Sequence, residues 1–231
     1  MTENAIDHSK SSKELPEVVI LTGKKKSGKD TVADYLINHH GYVKYAFATH
    51  LKAALHRIDP ILDFEHVNNQ IIPVRVSDAF RKCSNDEDKV KENYPEYRNF
   101  MQKFATDGIR HVKPDFWTCL LLDDVAEHKS RYGNKIVITD VRFDNEDVAA
   151  TAISGNYVKW EVIRPSLVPD LYSSHSSENG LSDSIIKEYT PIINDGTLID
   201  LYNKIDELFV SYTHLRAHET PEHLVCRLLL E

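Results

Sequence analysis

The stretch EVVILTGKKKSGKDTVADYL, Glu17 to Leu36, decides how the rest of the chain is read. Val18, Val19, Ile20 and Leu21 form a short β-branched and apolar run, the composition of a strand buried on both faces. Gly23 to Gly28 then spells Gly-x-x-x-x-Gly, and Lys29 follows. A helical pattern opens at once, with Val32, Ala33, Leu36 and Ile37 on one side. Strand, glycine loop and helix in that order make a phosphate cradle. The glycines let the backbone fold back so that successive amide N–H groups point inward. The helix N-terminus adds its partial positive charge, and Lys29 then reaches the β- and γ-phosphates of a nucleotide.

The loop departs from the usual pattern at one place. Ser or Thr normally follows the lysine and holds Mg²⁺, but here Asp30 follows, with Thr31 behind it. A carboxylate is still a hard oxygen ligand, able to bind Mg²⁺ directly or through a water. Asp30 equally suits the first turn of a helix for electrostatic reasons alone.

Working outward, Val43 to Phe47 reads as a second strand, and Thr49 to Ile58 as a helix with Leu51, Ala54, Leu55 and Ile58 on one face. Asp59-Pro60 breaks it. Ile61 to Asn93 is hard to read: Pro73 interrupts it, Val76 to Cys83 has a helical pattern, and Ser84 to Asn93 is charged and exposed in character. Tyr97 to His111 reads as a helix lined by Phe100, Met101, Phe104, Ala105 and Ile109. Pro114 suits the first turn of the next helix, whose core face is Phe116, Leu120, Leu121, Val125 and Ala126. Gly133-Asn134 turns into a second buried strand, Ile136 to Ile138.

Thr139-Asp140-Val141-Arg142 lies at the C-terminal end of that strand, where open parallel sheets bind ligands. An acid there can orient Mg²⁺-bound water, and an arginine can hold phosphate oxygens bidentately. A helix cap with a surface ion pair is the plainer alternative. Next come a helix from Asn145 to Ser154, a strand from Tyr157 to Ile163 closed by Arg164-Pro165, and a polar stretch from Ser166 to Tyr189 with no strong core face, a candidate lid. A short strand, Pro191 to Asn194, and a helix from Thr197 with Leu198, Leu201, Ile205 and Leu208 inward complete the pattern.

The totals fit one α/β domain of 231 residues. Net charge is −8, which argues against a broad nucleic-acid surface, though local basic clusters can still bind a small anion. Three scattered cysteines suit a reducing compartment and no zinc site. His39 and His40 read as helix-end residues rather than metal ligands. No apolar run reaches the length of a membrane span, and no signal peptide is visible. Met1 to Pro16 reads as a disordered arm. Ser211 to Glu231 resembles translated sequencing-adapter DNA appended to a truncated frame and is set aside from the fold, the alternative being a genuine helix around His223 to Leu230. Residues 17–210 are then the domain, with residues 58–130 as a helical acceptor region and residues 164–190 as the lid-like segment.

These blocks resemble the phage-type deoxynucleoside monophosphate kinases, over roughly Val18 to Phe209. The resemblance rests on GKKKSGKDTVADYL, VKYAFATHLKAAL, RNFMQKFATDGIR followed by Asp115 to Trp117, ITDVRFDNE, SHSSENGL and IINDGTLIDLYNKID. The phosphate loop alone is shared with animal-type phosphomevalonate kinases, so the central block with Gln102, Thr106, Asp107 and Trp117 discriminates better. The resemblance implies a P-loop nucleoside monophosphate kinase fold, a parallel five-stranded sheet flanked by helices. It implies ATP and Mg²⁺, a deoxynucleoside monophosphate as partner, and a cytoplasmic setting in a bacterium or a phage-infected host; it also allows a homodimer.

Residue by residue, it implies that Gly23, Lys26, Ser27, Gly28, Lys29, Asp30 and Thr31 bind ATP, with Lys29 as the principal charge. Lys25, Arg98, Gln102, Thr106, Asp107, Trp117, Asp140, Arg142 and Glu146 fall on the acceptor side. Lys29, Asp140 and Arg142 are the expected catalytic groups, Arg164 and Arg110 the weaker arginine candidates, and Asp30 and Asp140 the expected metal ligands. Lys25 also reads as a solvated lysine, and Trp117 as plain core. His175 and Glu178 match a preserved pair near the lid, and Asn194 to Gly196 can bring backbone near adenine. Ala105 stands where the family often has Gly, and Ile61 to Asn93 does not align, so the base stays open. Two other readings remain: a P-loop kinase for another phosphorylated metabolite, or a nucleotide-binding regulatory module with no acceptor.

Overall fold

Val18–Thr22 forms strand β1, and its five residues are all buried. The computed structural model describes residues 15–167 and 180–218. After β1 come α1 (Lys29–His40), β2 (Val43–Ala46) and α2 (Ala48–Ile58). A hairpin of β3 (Ile61–Val67) and β4 (Gln70–Arg75) follows, then α3 (Val76–Lys82), α4 (Glu87–Asn93) and α5 (Pro95–Gln102). Helix α5 passes directly into a π-helical segment, Lys103–Arg110. Then come α6 (Phe116–Tyr132), β5 (Ile136–Thr139), α7 (Asp144–Thr151) and β6 (Tyr157–Ile163). The chain returns through α8 (Asp183–Ile186) to β7 (Thr190–Ile193) and α9 (Leu198–His218).

Five strands form one parallel sheet in the order β2-β5-β1-β6-β7. Because β1 is central, alternate residues enter two different cores. Val19 and Leu21 join Leu36 of α1 and Ile205 and Phe209 of α9. Val18 and Ile20 join Leu121 and Val125 of α6 and Ala150 of α7. A strand covered on both faces cannot alternate polar with apolar, which is why VVIL runs unbroken. Gly41 ends α1 in the left-handed conformation, with φ 73°.

A third core sits beyond the β2 edge. Leu51 and Leu55 of α2, Leu62 and Val74 of the hairpin, Val90 of α4, Tyr97 of α5 and Trp117 of α6 share it. The hairpin is the main departure from the sequence reading. Its connection is Asn68-Asn69, both at positive φ, the signature of a tight two-residue hairpin turn. Pro73 is accommodated because both strands of a two-stranded sheet are edges. Within the charged stretch, Asp86 caps α4 by accepting the N–H groups of Asp88 and Lys89.

Several expected core positions face out. Phe100 is exposed because the inward face of α5 is Tyr97 and Met101. Ala126 and Leu198 are exposed as well. Conversely, the end of the stretch read as polar is well anchored: Leu181, Ile185 and Ile186 pack on the second core, and Tyr189 is buried in it. The Tyr189 hydroxyl donates to Asp147, which also takes the ammonium of buried Lys159 at 2.7 Å. Residues 168–179 of the candidate lid, with His175 and Glu178, lie outside the described residues, as does most of the N-terminal arm. Helix α9 continues through residues 211–218, and Thr213 is buried; residues 219–231 are not described. No described helix is long and apolar enough to cross a membrane.

Candidate active site

The phosphate loop crosses from β1 to α1 and is locked from three directions. The Ser27 N–H donates to the Lys24 carbonyl at 3.2 Å. The Asn194 side chain, just past β7, donates to the Ser27 carbonyl at 2.8 Å. Lys29, largely buried, folds over the loop and donates to the carbonyls of Gly23 and Lys24 at 2.7 and 2.8 Å. Lys26 adopts φ 63°, a left-handed non-glycine residue at the crown of the loop.

The two glycines serve different ends. A Cβ on Gly23 would lie 2.4 Å from the Val162 carbonyl oxygen, so its smallness lets the loop pack on β6. Gly28 sits at φ 110°, and a Cβ there would lie 2.5 Å from the Asn194 side-chain nitrogen. Gly28→Ala therefore strains the backbone and pushes away the amide that holds Ser27. It is expected to cost about 1–3 kcal/mol of stability, read by thermal unfolding. An unchanged melting temperature in that variant would show that the lock is dispensable.

A cleft of about 780 Å³ opens beside the loop at the carboxyl ends of the strands. Lys26, Gly28, Lys29, Asp30 and Thr31 line it on the loop side. Lys25 also lines it from the loop, Arg98, Gln102, Thr106 and Trp117 line it from α5, the π-helical segment and α6, and Asp140, Arg142 and Glu146 line it from the loop after β5 and the first turn of α7. Gly23 and Ser27 lie beneath the loop instead; the buried Ser27 hydroxyl has no hydrogen-bond partner among the described residues. Asp107 is also placed elsewhere, in a neighbouring shallow recess with His111 and Asn145. Ten Lys and Arg side chains line the main cleft against six Asp and Glu, so an anionic chain concentrates positive charge here.

The sheet order and loop are those of an α/β protein with a P-loop kinase fold, and comparison with known proteins narrows this. Residues 17–61 and 57–205 match the model of the deoxynucleotide monophosphate kinase family. The chain belongs to this family. It is 27% identical over 195 residues to a protein of Acanthamoeba polyphaga mimivirus named "Putative deoxynucleotide monophosphate kinase", covering 80% of this chain and 92% of that one. It is 25% identical over 242 residues to the deoxynucleotide monophosphate kinase of Enterobacteria phage T4, covering 82% of this chain and 97% of the phage protein.

Within this kinase-family cleft, Asp30 is engaged by Lys44 of β2 at 2.5 Å. Burial pushes its carboxyl up, but the hydrogen bond and charge of Lys44, with Lys29 and Lys52, outweigh burial and hold it below the usual aspartate range. A depressed carboxyl adds stability that is fully present above its unfolded pKa and is lost as pH falls through the folded value. Being half open to solvent, the pair is worth less than about 1 kcal/mol. A carbon-13 NMR titration of the Asp30 carboxyl should give a midpoint below about 3.9, rising towards that value in Lys44→Ala. An unshifted midpoint in the wild type would show the pair absent in solution.

Asp140 adopts φ 64° at the end of β5, and its carboxylate lies 3.8 Å from the Arg142 guanidinium. Glu146 is 2% exposed at the cleft wall: one oxygen accepts the N–H groups of Arg142 and Phe143 at 2.8 and 3.3 Å, and the other takes the Arg110 guanidinium. Burial pushes its carboxyl up, against the lowering pull of Arg110 and the two N–H groups. Trp117 is a core residue with one side on the cleft; its N–H donates to the Ala105 carbonyl, in the π-helical segment, at 3.3 Å. π-Helical turns cluster at functional sites, and this one carries Thr106 and Arg110 to the cleft wall.

Sequence reading missed Lys44, Lys52 and Glu87. Lys52 and Glu87 pair at 2.8 Å across the cleft's third-core side. Lys52 was legible as the residue following buried Leu51, while Glu87 was hidden in the charged stretch. The Asn194 lock on the loop was also missed; only backbone near Asn194 was expected to matter.

Magnesium is implied by the family. Among the described residues, no three His, Cys, Asp or Glu side chains gather into a metal cage. The hard oxygens of Thr31 and Asp140 do line the cleft near Lys29. One or two protein oxygens suit a cation whose other ligands are phosphate oxygens and water.

Proposed function

We propose that the chain transfers the γ-phosphoryl group of ATP to the phosphate of a deoxynucleoside monophosphate. The observation that carries this reading is one continuous cleft with the Lys29 loop at one wall, Arg98 and Trp117 at another, and an excess of basic groups between them. An acceptor phosphate oxygen forms the new bond to the γ-phosphorus as the bond to the β–γ bridging oxygen breaks, leaving ADP. The acceptor oxygen is already ionised near neutral pH, so no general base is required. Alignment and charge neutralisation then supply the rate.

In this reading Lys29 leaves its loop carbonyls for the β- and γ-phosphates, and the loop N–H groups hold the rest of the triphosphate. Arg142 meets the charge on the transferred group, while Arg98, Gln102 and Thr106 hold the acceptor. Thr31 and Asp140, with Asp30 through water, would hold Mg²⁺, which when bound shields the triphosphate oxygens. Trp117 offers the base an apolar wall.

The test is ADP formation from ATP and Mg²⁺ against dGMP, dTMP, dCMP, dAMP, their ribose counterparts and phosphomevalonate. Stimulation by at least one deoxynucleotide supports the reading. Stimulation by phosphomevalonate alone would overturn the acceptor, and ATP binding with a flat panel would overturn the activity.

A further inference from the structure

The cleft's arginines differ in how firmly they are held. Arg142 has a side chain 43% exposed, with the Asp140 carboxylate 3.8 Å away. Arg110 is 12% exposed and is gripped on three sides. Glu146 takes one of its nitrogens, the Asn145 side-chain oxygen lies 3.5 Å from another, and the Phe143 ring lies 4.1 Å beneath the guanidinium. The same Glu146 carboxylate fixes the backbone N–H of Arg142. One buried acid on the first turn of α7 therefore ties the end of the π-helical segment to the loop after β5.

We propose that Glu146 is a positioning residue that sets two arginines at once, holding the side chain of Arg110 ready for the acceptor phosphate and fixing the backbone from which Arg142 reaches the transferred group. Both its oxygens already accept from these partners and the residue is 2% exposed, which favours an anchoring role. A guanidinium has five N–H groups arranged as a fork, so Arg110 can keep its grip on Glu146 and Asn145 and still present N–H groups to the cleft. Ordering that side chain before the ligand arrives removes a cost from binding. The inference rests on the phosphoryl-transfer reading above.

The two functions of the carboxylate separate by substitution. Glu146→Gln keeps an oxygen for the Arg142 and Phe143 N–H groups but turns an amide towards the Arg110 guanidinium. It is expected to raise KM for the deoxynucleotide about tenfold, with KM for ATP and kcat within about twofold. Glu146→Leu removes both anchors and is expected to lower kcat as well.

A double-mutant cycle supplies the readout that mere structural support would not give. Arg110→Met is expected to raise the acceptor KM by itself. Adding Glu146→Gln to Arg110→Met should change it no further, and this double variant, with a neutral buried pair, guards against misfolding of the single ones. A normal acceptor KM in folded Glu146→Gln, or effects that multiply in the double variant, would overturn the proposal while leaving transfer by the wild type intact. A wild-type chain that transfers no phosphoryl group would overturn the reading beneath it and this proposal together.

Discussion

Lys29→Ala is expected to lower phosphoryl transfer by at least about a thousandfold while the chain stays folded. Lys29 opens α1 directly after the loop, so its ammonium stands where loop N–H groups and the helix N-terminus already favour anions. Removing it deletes a full charge carried by a largely buried side chain, where electrostatic contacts count for more than in water. The fold does not depend on it. The loop keeps the Ser27 bond to Lys24 and the Asn194 bond to Ser27, and the strands beneath remain packed through Val19 and Leu21. The check is an initial-rate assay beside a thermal melt. A folded variant with near-normal turnover would remove Lys29 from the machinery.

Arg142→Ala is expected to lower kcat by about a hundredfold or more, with KM for ATP little changed. Its side chain is partly exposed and loosely paired, so it is free to meet charge as it develops. Stability should change by no more than about 0.5 kcal/mol, because no core contact is lost. Arg142→Lys should recover only part of the rate, since an ammonium cannot reproduce the two parallel N–H bonds of a guanidinium. If kcat is unchanged in Arg142→Ala, the residue is structural, and the pairing with Asp140 is all it provides.

These expectations trace back to features of uneven legibility. The loop and the buried strand before it could be read directly, because covering β1 on both faces forces an unbroken apolar run and a tight phosphate turn forces glycine. The end of β5 could be read for the same reason: Ile136 to Ile138 is buried on both faces, and Asp140 and Arg142 follow at once.

The third core was harder. The hairpin strands bury little besides Leu62 and Val74, so neither shows a clean alternation, and only the Asn68-Asn69 turn marked them. The π-helical segment has no periodic signature distinct from a helix in eight residues. Glu146 shows the limit most clearly. An acid beside Asp140 and Arg142 reads as a ligand, while nothing in the sequence marks its burial or its bonds to Arg110 and to the Arg142 backbone. The pairing of Arg110 with Glu146 was not legible, since the two lie 36 residues apart in sequence.

The most direct test of the account is phosphorus-31 NMR of the chain with ATP, Mg²⁺ and the deoxynucleotide that most stimulates ADP formation. The account predicts loss of the monophosphate signal and growth of a deoxynucleoside diphosphate in equal amount with ADP. Release of inorganic phosphate with the monophosphate signal unchanged would contradict it.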